Sequence, residues 1–236
     1  MFEIYEILIF IFLFVPAMAF ATYAQIKVQK TFSNYNKVPS KSNITGEQLV
    51  EMIAQKEGLD VTIKQGRGHL TDHYNPSKRV VSLSSSTYGH SSVAALGVVA
   101  HEMGHAIQHA KGYGPLKLRT LTIRISNLTS WMYLPLIVIG IIINAIIVNS
   151  QLGKIFIWVG VGLFALTTLI SLITLPVEIN ASKRAIVLLE ELGIMDEEEL
   201  PQAKSVLSAA ALTYVAALLI SIVQLLRLIV IAKLND

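Results

Sequence analysis

Four stretches of this chain run without an Asp, Glu, Lys or Arg for about the 20 helical residues that a roughly 30 Å hydrocarbon core requires. They are Ile7 to Ile26, Ile125 to Gly153, Ile155 to Val177 and Ser205 to Leu226. Nothing else in the sequence restricts the fold as strongly. Composition agrees: 53% of the residues are hydrophobic and 15% charged, against about a quarter charged in an ordinary soluble domain. This composition argues against a wholly water-facing globule, and the excess apolar surface must lie against lipid. The first stretch has the position of a signal peptide, but Glu3 and Glu6 precede it in place of Lys or Arg, and Pro16 to Phe20 makes a poor cleavage site. It reads as a retained anchor.

The second and third stretches are separated only by Asn149 to Lys154 and form a tight helical hairpin. The expected organisation is an anchor (1–26), a soluble domain (27–124), a transmembrane hairpin (125–177), a helical segment (178–204) and a fourth transmembrane helix with its tail (205–236). Four crossings put both soluble pieces on one side and the termini and hairpin tip on the other. Near the helix ends on the domain side lie Lys27, Lys30, Lys37, Lys41, Lys117, Arg119, Arg124, Lys183, Arg184 and Lys204, against Lys154, Arg227 and Lys233 opposite. Positive charge is retained in the cytoplasm, so the soluble pieces should face the cytosol and the termini the outside. The net charge of +3 is too small and too evenly spread to point to nucleic acid. Oligomeric state leaves no mark on the sequence.

Within the first soluble piece, Thr45 with Gln48 forms a capping-box pattern opening a helix to about Lys56, with Leu49, Met52 and Ile53 on one face and Gly58 as its stop. Short β-like segments follow at Val61 to Lys64 and Arg79 to Leu83, the second after the turn Asn75-Pro76-Ser77-Lys78. Ser91 or Ser92 then caps a helix from Val93 to about Ala110, closed by Gly112 and Gly114-Pro115. The fold class is a mainly α membrane protein with a small α+β domain. Asp196 to Glu199 reads as a solvated helix start.

His101-Glu102-Met103-Gly104-His105 lies inside that last helix. Two His four apart share a helical face and can close on one metal ion, while the Glu between them reaches a water on that ion. The bland alternative, two surface His and a salt-bridged Glu, fits poorly with so apolar a segment. The chain has no Cys, so any metal must be held by His, Asp or Glu. A catalytic zinc site takes three protein ligands. His109 continues the series but lies about 12 Å along the axis from His101 at 1.5 Å per residue, too far to share an ion. Gln108 and Lys111, where the three-histidine metzincin pattern demands Gly and His, exclude that family. Candidate third ligands are Glu178, Glu190, Glu191 and the acidic run, with His69, His73 and His90 upstream. Topology favours Glu178, because two crossings return it to the side of His105; its competing role is an interfacial pair with Lys183 or Arg184.

Glu178-Ile179-Asn180-Ala181-Ser182 after a transmembrane stretch, with the His pair upstream, resembles the gluzincin metallopeptidases. More closely, Leu70 to Pro76, Ser92 to Val98, His101 to Gln108 and Pro176-Val177-Glu178 are similar to the YugP-type membrane zinc metallopeptidases, over nearly the whole chain. The resemblance implies a gluzincin-like protease domain, Zn²⁺ on His101, His105 and Glu178, peptide or protein substrates, and a place in membrane-protein quality control like that of the HtpX-type enzymes. Ser182 stands where gluzincins often carry an Asp that orients a zinc-bound His, and Asn75 and Asn180 stand where this family carries Asp.

The expected chemistry is amide hydrolysis, in which zinc brings water towards ionisation near neutral pH and polarises the scissile carbonyl. Glu102 takes the water proton and passes it to the leaving amine. His73, Tyr74, His109 and Tyr88 are the available oxyanion donors, and loop packing explains each of these four equally well; Ser182 and His109 are candidate partners behind the ligands, an exposed surface position being the competing reading of His109. The resemblance to gluzincins, in which an edge strand beside the zinc helix holds extended substrate, implies that role for Arg79 to Ser84. A site-2-type intramembrane protease is disfavoured, because the zinc helix lacks about 18 apolar residues and all four Asp lie outside the spans. A non-catalytic zinc-binding membrane protein, a sensor or accessory, would have no use for Glu102.

Overall fold

The computed structural model describes residues 8, 10–147 and 150–236, with side chains at all of these except 123–127. Glu3, Glu6, Ile7 and Asn149, and the side chains of Arg124 and Ile125, lie outside the described residues. After a π-helical turn at Phe10–Phe14 come α1 (Val15–Tyr35), α2 (Gly46–Glu57), β1 (Thr62–Gln65), β2 (His73–Asn75), β3 (Val80–Leu83), α3 (Val93–Ala110), α4 (Gly114–Ile146), α5 (Gln151–Glu191) and α6 (Glu199–Leu234). The chain divides into two units, one of Met1–Tyr23, Leu118–Leu175 and Tyr214–Asp236, the other of Ala24–Lys117 and Pro176–Thr213.

Among the described residues, four helices are long and apolar enough to cross a membrane: Phe10–Tyr35, Leu128–Ile146, Gln151–Glu191 and Glu199–Leu234. In the first unit the helices leave large apolar side chains such as Leu121, Leu128 and Trp131 uncovered, a surface suited to lipid and not to water. Inside this unit, Ile137, Ile157, Val161, Phe164 and Leu228 form a core. Glycine sets the spacing of α4 and α5, since a Cβ on Gly160 would meet the Tyr133 carbonyl oxygen at 2.9 Å. Thr129 and Thr167 share a hydrogen bond across that pair, and the Asn144 amide donates to the Asn235 carbonyl at 2.8 Å.

Two helix boundaries differ from expectation. α5 continues through Pro176 and Glu178 to Glu191 as one helix of 41 residues. Proline removes one backbone donor, but Val177, Ala181, Ala185, Leu188 and Leu189 extend a buried apolar face past it, and that packing outweighs the lost bond. α4 begins at Gly114, so Pro115 sits in a first helical turn, where an N–H would have no intrahelical partner. Gly112, at φ 65°, does end α3.

The second unit is the α+β part. The Gln48 side chain accepts the Thr45 N–H at 2.8 Å, Gly58 closes α2 at φ 62°, and Leu49, Val50 and Ile53 are buried against Val81, Leu83, Val99, Met103, Ile107 and Leu189. Lys41 pairs with Asp196 at 2.5 Å and Glu198 at 2.9 Å, and Asp196 accepts the Glu198 and Glu199 N–H groups that open α6. The sheet order is β1-β3-β2. β1 pairs with β3 in parallel, Thr62 opposite Val80, and β2 pairs with β3 antiparallel, His73 opposite Ser82.

This order corrects the expected edge strand. The segment 79–84 contains β3, which is hydrogen-bonded on both sides and has no free edge to offer. β2, three residues ahead of a proline, is too short for alternation to reveal. It is held by Asp72, whose carboxylate accepts the Ser84 N–H at 2.8 Å, the Ser84 hydroxyl at 2.7 Å and the Thr87 hydroxyl.

Candidate metal centre

α3 is capped by Ser92, whose side chain accepts the Ala95 N–H at 3.1 Å. The helix is buried along most of its length, Glu102, Gly104, His105 and Gln108 included. Gly104 sets how closely α5 can approach. A Cβ built there would meet the Ala181 carbonyl oxygen at 2.6 Å and the Ala181 Cα at 3.2 Å. The two helices therefore touch backbone to backbone within the HExxH segment itself. Glu178 lies one turn before Ala181, on the same face of α5.

That contact gathers His101, His105 and Glu178, whose ligand atoms lie within 4.8 Å of one another. Glu178 Oε2 is 3.2 Å from His101 Nε2 and 3.4 Å from His105 Nε2, and the two imidazole rings stand edge-on at 4.8 Å. Glu178 is only 2% exposed. A carboxylate so buried is costly unless a cation or charged donors face it. Burial pushes the His105 imidazole down, but the Glu178 hydrogen bond and the charges of Glu102 and Glu178 reverse this and hold its pKa above the usual histidine value. The pocket thus favours positive charge. Two imidazole nitrogens and one carboxylate whose ligand atoms converge fit a Zn²⁺ ion.

The ring nitrogens facing away from Glu178 are also engaged. His101 Nδ1 lies 3.1 Å from the Ser182 hydroxyl, one turn beyond Glu178 on α5. Ser182 is thus placed behind a His, although the gluzincin pattern often has an Asp at this position. His105 Nδ1 lies 2.9 Å from Gln108 Oε1.

Glu102 faces β2, its Oε2 accepting the Tyr74 N–H at 2.9 Å. The hydroxyl of the same Tyr74 lies 2.9 Å from His109 Nδ1, so these two candidates pair with each other and stay outside the triplet. Partial burial pushes the Tyr74 hydroxyl above the usual phenol range, with the Arg79 charge opposing. Beside them is a cavity of about 370 Å³ lined by Leu59, Val61, Tyr74, Arg79, Ala106 and His109. His73 is exposed, its Nδ1 3.0 Å from the Thr71 carbonyl, and Tyr88 packs at the edge of the core. Glu191 pairs with Lys56, and His69 stands edge-on to Phe32. Gln108 and Gly104 also shape the site; their sequence signals are a Gln three residues after a candidate ligand on a buried helix face and a Gly inside the motif.

The profile of the family described as "Putative neutral zinc metallopeptidase" matches residues 10–233. The chain belongs to this family. It is 41% identical over 226 residues to "Putative membrane protease YugP" of Bacillus subtilis (strain 168), which covers 95% of this chain and 96% of that protein. No solved structure matches it. Membership of a zinc peptidase family agrees with the nitrogen and carboxylate donors gathered at Glu178.

Proposed function

We propose that this chain is a membrane-embedded, zinc-dependent endopeptidase hydrolysing peptide bonds at the cytosolic face, with substrates drawn from membrane-protein quality control. The observation that carries the reading is a buried Glu178 carboxylate within 3.4 Å of two imidazoles from an HExxH helix. His101, His105 and Glu178 hold the ion. Zinc, when bound, activates water near neutral pH and polarises the scissile carbonyl. Glu102, oriented by the Tyr74 N–H, accepts the proton of the attacking water and hands it to the leaving amine.

β2 takes the part first expected of residues 79–84. Tyr74 turns its N–H to Glu102, so the edge of β2 away from β3 runs beside the base, where an extended peptide can lie alongside. The cavity beside Tyr74 then lies within reach of a substrate side chain. Cytosolic placement is supported by the excess of Lys and Arg around 27–41, 117–124, 183–184 and 204. The division at 26, 124, 177 and 204 belongs to the same proposal.

The test uses the full chain in lipid or detergent, comparing wild type with Glu102→Gln for zinc content and for cleavage of an unfolded protein. Zinc at wild-type stoichiometry with cleavage lowered by about a hundredfold or more is expected. Equal cleavage by both overturns the assignment, and zinc with no cleavage by either points to a sensor or accessory.

A further inference from the structure

Gln108 is completely buried in α3, and its side chain is engaged at both ends. Oε1 lies 2.9 Å from His105 Nδ1, while Nε2 donates to the Val177 carbonyl at 2.8 Å and to Asn180 Oδ1 at 3.0 Å. Asn180 Oδ1 in turn accepts from Arg184 Nε at 2.9 Å. The Val177 carbonyl removes the usual freedom to flip an amide. A backbone carbonyl only accepts, so the NH₂ of Gln108 must face it and Oε1 must face His105. An amide oxygen also only accepts, so His105 must carry a hydrogen on Nδ1. In the neutral ring, the lone pair is then on Nε2, the nitrogen turned to Glu178.

We infer that Gln108 is a positioning residue that fixes the Nδ1–H tautomer of His105, its own orientation dictated by the carbonyl of Val177, the residue next to Glu178. The turn of α5 that supplies the carboxylate thereby selects which nitrogen α3 offers. His101 has no such device, because the Ser182 hydroxyl opposite its Nδ1 can donate or accept. This inference rests on the reading of His101, His105 and Glu178 as a zinc site.

The test measures Zn²⁺ affinity of the full-length protein by competition with a chromophoric chelator, together with thermal unfolding and the visible spectrum of the Co²⁺-loaded form. Gln108→Met keeps the length of the side chain but removes the acceptor, and is expected to lower Zn²⁺ affinity by about 10- to 100-fold and to shift the Co²⁺ spectrum. Gln108→Glu, as the neutral acid, donates its O–H to the Val177 carbonyl and keeps an acceptor facing Nδ1, and is expected to restore most of the affinity. Wild-type binding by both variants, or equal loss in both, overturns the inference. If Gln108→Met does not fold, ¹⁵N spectra of the zinc-loaded wild-type histidines decide it: coordination of His105 through Nε2 with a protonated Nδ1 is expected, and coordination through Nδ1 overturns it. A wild type that binds no Zn²⁺ removes the zinc site itself, an outcome distinct from failure at Gln108 alone.

Discussion

Replacing Gly104 by Ala tests whether the proposed metal centre depends on contact between two backbones. The added Cβ would stand 2.6 Å from the Ala181 carbonyl oxygen, with the Ala181 carbonyl carbon and Cα both at 3.2 Å. None of these atoms can rotate away. An ordinary contact begins at about 3.5 Å, so α3 and α5 must separate locally by something approaching 1 Å. Overpacking of this kind costs about 1–3 kcal/mol, while alanine returns up to about 1 kcal/mol of helix propensity over glycine. The net loss of stability is therefore small, about 0–2 kcal/mol from those two terms. The site is far less tolerant, because metal-ligand distances must hold within about 0.2 Å, and Glu178 lies one turn from the point of contact. Gly104→Ala should leave a folded protein whose Zn²⁺ affinity, read by chelator competition, falls by about 10- to 100-fold, the loss typical when the groups that position metal ligands are disturbed. Gly97→Ala is the control, since its Cβ would meet the Ala203 Cβ at an ordinary 3.6 Å; it should bind zinc as wild type does. Undiminished zinc affinity in Gly104→Ala would refute the argument that this close approach builds the site.

Other consequences can be read with similar assays. Glu178→Ala should weaken zinc binding by an order of magnitude or more, on the order of a lost ligand's partner network or greater, whereas His109→Ala, which removes a partner of Tyr74, should retain the ion; the reverse result would require the site to be rebuilt from histidines. Because the chain has no Cys, a single Cys at Ser150 should react with an impermeant thiol reagent added outside the cell and one at Ser42 should not; labelling only at Ser42 would invert the proposed topology. The zinc-free protein should lose stability as pH rises from below the usual histidine range through the raised pKa of His105, since a group that binds its proton more tightly when folded stabilises only while protonated. Thermal unfolding of chelator-treated protein should show this slope, and His105→Gln should flatten it.

The parts of this protein that were legible in the sequence are those whose physics is local. Charge-free runs mark apolar helices because each residue makes its own terms with lipid, and Ser92, Gly58 and the i, i+4 His pair act within a turn or two of themselves. Glu178 was reachable by another route, since counting crossings brings it to the side of His105 without any knowledge of packing. What stayed hidden depends on a partner far along the chain. β2 exists because Asp72 and the backbone of β3 hold three residues that have no periodicity of their own. Gln108 reads as one more polar residue on a helix until the Val177 carbonyl, 69 positions later, is placed against it. Gly104 reads as a flaw in helix propensity until the Ala181 backbone fills the space its missing Cβ leaves. The motif therefore points to the proposed chemistry, while the residues that give it a geometry are recognisable only once α3 and α5 are in contact.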